Sequence, residues 1–214
     1  MKIKRAVAAA ALAVSLAAGL AGPAMASDSV VSNAPYDRQA AVDWALEHAQ
    51  DPEPFPASCT WFVTNALWAG GLPKDAGWNA DGEHGRLQKS PGTPSATAAQ
   101  PLLDYLSARY PYTKPVEMDF TGNAVPQAEP GDIVAYDWEG DGRIDHLALV
   151  VDIAPGQYPE VAEWGTDDTH PTGYVKRGWT YSEKDEPGWL QDKDKHPAVK
   201  AWLWHIDTTY LPTF

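Results

Sequence analysis

The sequence predicts an α+β domain in which N-terminal helices pack on an antiparallel β-sheet or meander. Three observations point there. Apolar residues recur at helical spacing in three stretches before residue 109. Short apolar runs separated by Gly, Pro and Asp follow residue 130. A chain of 214 residues with 44% apolar content, 10 Trp, 9 Tyr and 4 Phe has enough material for one full core. Helices first and strands second is the order of segregated α+β folds, not of alternating α/β ones. The aromatic content also excludes a disordered chain.

The chain opens with Lys2, Lys4 and Arg5, continues through the apolar stretch 6–20, and reaches Ala24-Met25-Ala26 before Ser27. Positive start, apolar middle and small-residue cleavage site are the parts of a secretory signal peptide. Residues 1–26 are expected to be this leader, 27–35 a polar connector and 36–214 a single catalytic domain. The apolar stretch is too short and Ala-rich for a membrane span of about 20 residues. A secreted, extracellular monomer with no membrane partner after cleavage is expected.

The formal charge is −13, from 16 Lys+Arg and 29 Asp+Glu. Losing Lys2, Lys4 and Arg5 leaves 13 basic against 29 acidic residues, or −16. That acidity excludes nucleic acid as a partner. It also disfavours simple attraction to anionic wall polymers, so wall binding would depend on groove contacts or bridging cations. The chain has one cysteine, Cys59, which permits no intramolecular disulfide and no multi-cysteine zinc site. In an exported protein such a thiol is buried and inert, joined to another chain, or kept because its thiolate reacts.

The elements follow in order. Asp37 is a helix N-cap, with Ala40, Ala41, Trp44, Ala45 and Ala49 forming the apolar stripe behind it. The prolines of 51–56 end that helix. A second begins at Ser58 or Cys59, buries Phe62, Val63, Ala66 and Leu67, and stops at Gly70-Gly71 before Pro73. Residues 74–94 read as a long loop holding Trp78 and His84, and Ser95 to Ala108 as a third helix. Strands are expected at Ile133 to Tyr136, Leu147 to Val151 and Val161 to Trp164, joined by turns at Gly140-Asp141-Gly142 and Pro155-Gly156. Tyr174 to Tyr181 and Val199 to Ile206 supply further strands, with a solvated loop from Ser182 to Lys195 between them.

A cysteine nucleophile needs a depressed thiol pKa and an imidazole beside it. Cys59 stands at a predicted helix start, where the helix dipole favours the thiolate. His146 opens the central predicted strand, and Glu163, on the next strand, is placed to orient the imidazole. Asp145 is the poorer orienter, because successive strand residues face opposite sides. His48, His84, His170, His196 and His205 lack such a context and read as surface or packed histidines.

The stretch Ser58-Cys-Thr-Trp-Phe-Val-Thr-Asn-Ala-Leu-Trp-Ala-Gly-Gly-Leu72, together with Pro130 to Val151 and the helix from Tyr36, resembles the putative amidase domain family. That family is grouped with the papain-like cysteine hydrolases of the NlpC/P60 and CHAP type. The resemblance spans roughly residues 36–168. It implies a papain-like NlpC/P60-type core and hydrolysis of amide bonds, often in cell-wall peptides, without a cofactor. Carried over by residue, Cys59 corresponds to the nucleophile, His146 to the base and Glu163 to the polar orienting residue. Ser58, Trp61 and Asn65 depart from the family pattern, where Asp, Asn and Gln are common, which bears on substrate choice and oxyanion geometry.

Two further features bear on binding. Asp137, Glu139, Asp141 and Asp145 match positions 1, 3, 5 and 9 of an EF-hand loop, with Gly142 at position 6. Ala148 stands where a bidentate Glu is required, so the segment reads as a hairpin turn without a metal, with calcium as the alternative. Among the tryptophans, Trp61, Trp138 and Trp164, with Asn65, are candidates to line a substrate groove; Trp179 is another. The expected function is a secreted cysteine amidohydrolase acting on cell-wall peptides. The alternatives are a non-enzymatic glycan- or calcium-binding module and a secreted effector acting on protein amides.

Overall fold

A computed structural model describes residues 36–85, 89–110, 114–165, 172–181 and 189–207. The leader and connector expected over 1–35, and His170, lie outside the described residues. Helix α1 runs Arg38–His48, and the Asp37 carboxylate accepts the Ala40 N–H at 3.0 Å, as an N-cap should. Helix α2 runs Cys59–Ala69. The two helices are clasped where α1 starts and α2 ends: Asp37 N–H donates to the Gly70 carbonyl, and a Cβ on Gly70 would stand 2.4 Å from the Tyr36 ring. Only glycine allows that approach.

The third predicted helix is two. Helix α3, Pro94–Thr97, and helix α4, Ala99–Arg109, are separated by an extended Ala98. Pro101 explains the break. In a continuous helix its ring would meet the Thr97 carbonyl four residues back, so it is tolerated only in a first turn. The expected loop 74–94 carries a short ladder, β1 (Glu83–His84) with β2 (Ser90–Pro91), and buries Trp78, whose indole donates to Thr64.

The main sheet is antiparallel and mixed with few helices in an α+β arrangement. Its strands are β3 (Pro115–Glu117), β4 (Ile133–Asp137), β5 (His146–Ala154), β6 (Tyr158–Glu163), β7 (Tyr174–Gly178) and β8 (Lys200–Trp204). Their order is β3-β8-β4-β5-β6-β7, so four consecutive strands form a meander and β8 returns to pair with β4 on the other side. Strand β3 and a 3-10 turn at Trp189–Gln191 were not expected from the sequence.

Strand alternation divides the core in two. Ile133, Ala135, Leu147, Leu149 and Val151 face α1, α2 and α4. Val134, Tyr136, Ala148, Val150 and Val161 face the other way, under Met118, Phe120, Trp179 and Leu190. Continuing that alternation puts His146 and Glu163 on the second face. No helix among the described residues is long and apolar enough to cross a membrane.

Candidate functional site

Cys59 is the first residue of α2, and Ser58 before it is fixed by its hydroxyl donating to Glu53 at 2.8 Å. The first intrahelical bond runs from the Phe62 N–H to the Ser58 carbonyl. The Cys59 N–H therefore precedes the helical ladder, with the positive end of the dipole at the thiol. Ala57 has a φ of 59°, a left-handed conformation that Cβ-bearing residues rarely adopt. This strained turn delivers the cysteine into a cleft, and such strain collects at functional sites.

His146 opens β5, opposite Tyr136 of β4. Its Nε2 lies 2.7 Å from Glu163 Oε2, and Glu163 is 0% exposed. The imidazole and the Cys59 thiol line the same cleft. Since Nε2 is held by Glu163, Nδ1 is the ring nitrogen that remains for other chemistry. Gly165 runs so close to the ring that a Cβ there would stand 3.2 Å from His146 Cε1.

Cys59 is itself 6% exposed. Burial pushes its thiol pKa up, yet the charge and hydrogen bond of His146, with the Leu147 N–H and the Thr60 hydroxyl, outweigh burial and hold it below the ordinary thiol value. A buried inert cysteine would show the opposite sign.

Two cavities, of about 790 Å³ and about 490 Å³, meet at Ala57, Cys59, Glu139 and Asp145. Trp138, His146, Gly165, Tyr174, Arg177 and Tyr181 complete the larger; the smaller runs along the start of α4. The thiol thus sits partway along an open groove, with room for a chain on either side.

Of the expected groove residues, the structure puts Trp138 at the cleft, stacked on Tyr136 at 5.1 Å and beside His146 at 5.8 Å. Trp164 is a correction. It is 5% exposed, packs between Trp44 and Phe62, and donates its indole N–H to the His48 carbonyl. Alternation explains this: with Glu163 turned to the imidazole, Trp164 must turn to the helices. Trp179 is likewise buried, with its indole on the Asn123 carbonyl. Trp61 packs against Phe55 and Trp68, and Asn65 donates to the Trp61 carbonyl; neither lines the two cavities.

The Asp137 carboxylate accepts the N–H groups of Gly140, Asp141 and Gly142, and Asp145 accepts that of Trp138. Asp137, Glu139 and Asp145 bring carboxylate oxygens within 4.8 Å of one another, and Asp141 is outside that group. The hydrogen bonding is that of a clasped turn, with Gly140 and Gly142 at positive φ.

Sequence reasoning missed Arg177 and Tyr181. Arg177 donates to Glu163 Oε1, and its guanidinium lies 3.8 Å over the Tyr174 ring and 3.6 Å over the Tyr181 ring. Tyr181 has a φ of 59°. One signal was available: Lys176 and Arg177 are adjacent on a strand, so one of them must face away from the other's solvated side. Lys176 makes exposed ion pairs with Asp152 and Glu160; Arg177 turns to the site.

The fold is a mixed α+β domain in which a thiol, an imidazole and a buried carboxylate come together at one cleft. More particularly, the chain belongs to the putative amidase domain family, whose sequence profile matches residues 35–190. The family's description points to activity on amides. The chain is also 30% identical over 186 residues to the uncharacterized protein YhbB of Bacillus subtilis strain 168, a match taking in 81% of this chain and 52% of the relative. It thus spans about half the length of that relative. No solved structure matches the chain significantly.

Proposed function

We propose that the protein is a secreted cysteine amidohydrolase of papain-like, NlpC/P60- and CHAP-related type, acting on amide bonds of cell-wall peptides. The observation that carries this reading is the thiol at the start of α2, held below its ordinary pKa by His146 in spite of burial. The Cys59 thiolate attacks the amide carbonyl carbon, and the Cys59 N–H is placed to donate to the developing oxyanion. His146 gives its proton to the leaving nitrogen as the C–N bond breaks, leaving a thioester on Cys59. It then takes a proton from water, whose oxygen attacks the thioester; the C–S bond breaks and the thiol is restored. Glu163 orients His146 and balances the charge of the imidazolium. The groove on both sides of the sulfur suits a peptide chain.

The test is incubation of the protein, with residues 1–26 removed, with purified peptidoglycan and mass analysis of released fragments. Wild type is expected to release fragments carrying a new amine and a new carboxylate. Cys59→Ala is expected to release none while keeping its far-UV circular dichroism, a loss of at least ~10³-fold. Equal release by the variant sinks the assignment.

A further inference from the structure

Glu163 is a fully buried carboxylate, and among the described residues it has two side-chain partners: His146 on Oε2 and Arg177 on Oε1. We infer that Arg177 is a positioning residue of this site, whose guanidinium pins the Glu163 carboxylate in place and, through it, the His146 imidazole. This rests on the reading of Cys59 as a nucleophile, and it adds a fourth member that the triad does not contain.

The geometry that carries it is specific. The ladder between β6 and β7 pairs Val161 with Arg177 but Glu163 with Tyr174, so β7 spends one residue more than β6 over this step. The extra residue brings Tyr174 and Arg177 to the same side. The guanidinium is then held between two aromatic faces, Tyr174 at 3.8 Å and Tyr181 at 3.6 Å, and Tyr181 sits in the left-handed conformation. A cation sandwiched in this way has little rotational freedom, and its fork suits a carboxylate in a way an ammonium does not.

Among the described residues, the other groups around Glu163 do not replace it. Tyr136 from β4, Tyr174 from β7 and Tyr181 after it bring phenols; Cys59 comes from α2; Glu139 and Asp145 line the cleft from the β4–β5 turn. The Tyr136 and Tyr181 phenols are pushed up by burial first of all, so they supply no charge. Among these groups Arg177 is the permanent cation. Without it, a carboxylate in this position would favour its neutral form, because burial penalises charge. A neutral Glu163 would no longer offset the imidazolium, and the thiolate–imidazolium pair would weaken.

The test measures the rate of Cys59 alkylation by iodoacetamide against pH, by intact mass, in native wild type, Arg177→Gln and Arg177→Lys, with melting curves alongside. Wild type is expected to show a midpoint below the free thiol value of about 8.5. Arg177→Gln is expected to raise that midpoint by about one unit or more, and Arg177→Lys to fall between. A role in sheet stability alone would lower the melting temperature and leave the midpoint where it was. A folded Arg177→Gln protein with the wild-type midpoint overturns the inference. Should Arg177→Gln not fold, Arg177→Lys decides: a raised midpoint supports the pin, and a wild-type midpoint overturns it. A wild-type midpoint at the ordinary thiol value takes down the nucleophile reading itself, so the two failures are distinguishable.

Discussion

Among the described residues, two clusters are built from the same three kinds of side-chain group: a carboxylate, a guanidinium and an imidazole. In each, a carboxylate with no solvent exposure receives one arginine and one histidine: Glu163 with Arg177 and His146, and Asp132 with Arg38 and His205. Their surroundings differ. Asp132 also accepts the backbone N–H groups of Glu129 and Ile206, while Arg38 donates onward to the Pro130 and Ile206 carbonyls. It ties the start of α1 to the turn before β4 and to the end of β8. Glu163 lies behind a cleft, and the imidazole it holds lines that cleft together with a thiol. Residue types alone do not separate a buried clasp from a cluster that opens on a cleft; what lies beside the imidazole does.

Substitutions distinguish the two clusters. The largest effect is expected at Glu163. Glu163→Gln should lower kcat by about 10²-fold or more, because the imidazole loses its orienting charge. Peptide release with Cys59 labelling in the same samples checks this. Next comes Asp132→Ala, which leaves Arg38 and His205 without their shared anion and should cost ~3–5 kcal/mol in denaturant unfolding. Its folded fraction should keep the kcat of wild type. If Asp132→Ala instead removed activity without lowering stability, the contrast between the clusters would fail.

A smaller effect is expected from Trp138→Ala, which removes one wall of the cleft but no reacting group. It should raise KM several-fold and leave kcat nearly unchanged, as loss of binding common to substrate and transition state does. The smallest is a pH slope. The hydrogen bond that His205 donates to the Asp132 carboxylate raises the His205 pKa above its ordinary 6.5, which partial burial opposes. The folded protein therefore binds that proton more tightly, so the contribution is fully present below 6.5 and is lost as pH rises through the folded-state value. Chemical denaturation at several pH values should show stability declining across that window in wild type and a flatter profile in His205→Gln.

Much of the fold was legible in the sequence because local chemistry is decisive in those places. The Asp37 cap, the Gly70-Gly71 stop and the strand at Leu147 to Val151 appear where spacing puts them. The helix of 95–108 was misjudged because periodicity outweighed Pro101, whose ring decides the break. The placement of Cys59, His146 and Glu163 near one another was legible because each lies at a position set by its own element. Arg177 was not, because it reaches Glu163 only through a register shift between β6 and β7, and a shift of that kind leaves no periodic trace. Trp164 shows the reverse error. Aromatic character suggested a groove, but one residue along a strand reverses the face.

The central claim is that Cys59 is a nucleophile activated by His146. Its most direct test is the pH profile of iodoacetamide alkylation in native wild type beside a folded His146→Ala variant. A wild-type midpoint well below about 8.5 that returns to the free-thiol range in the variant is predicted. Profiles that coincide in the two proteins would contradict it.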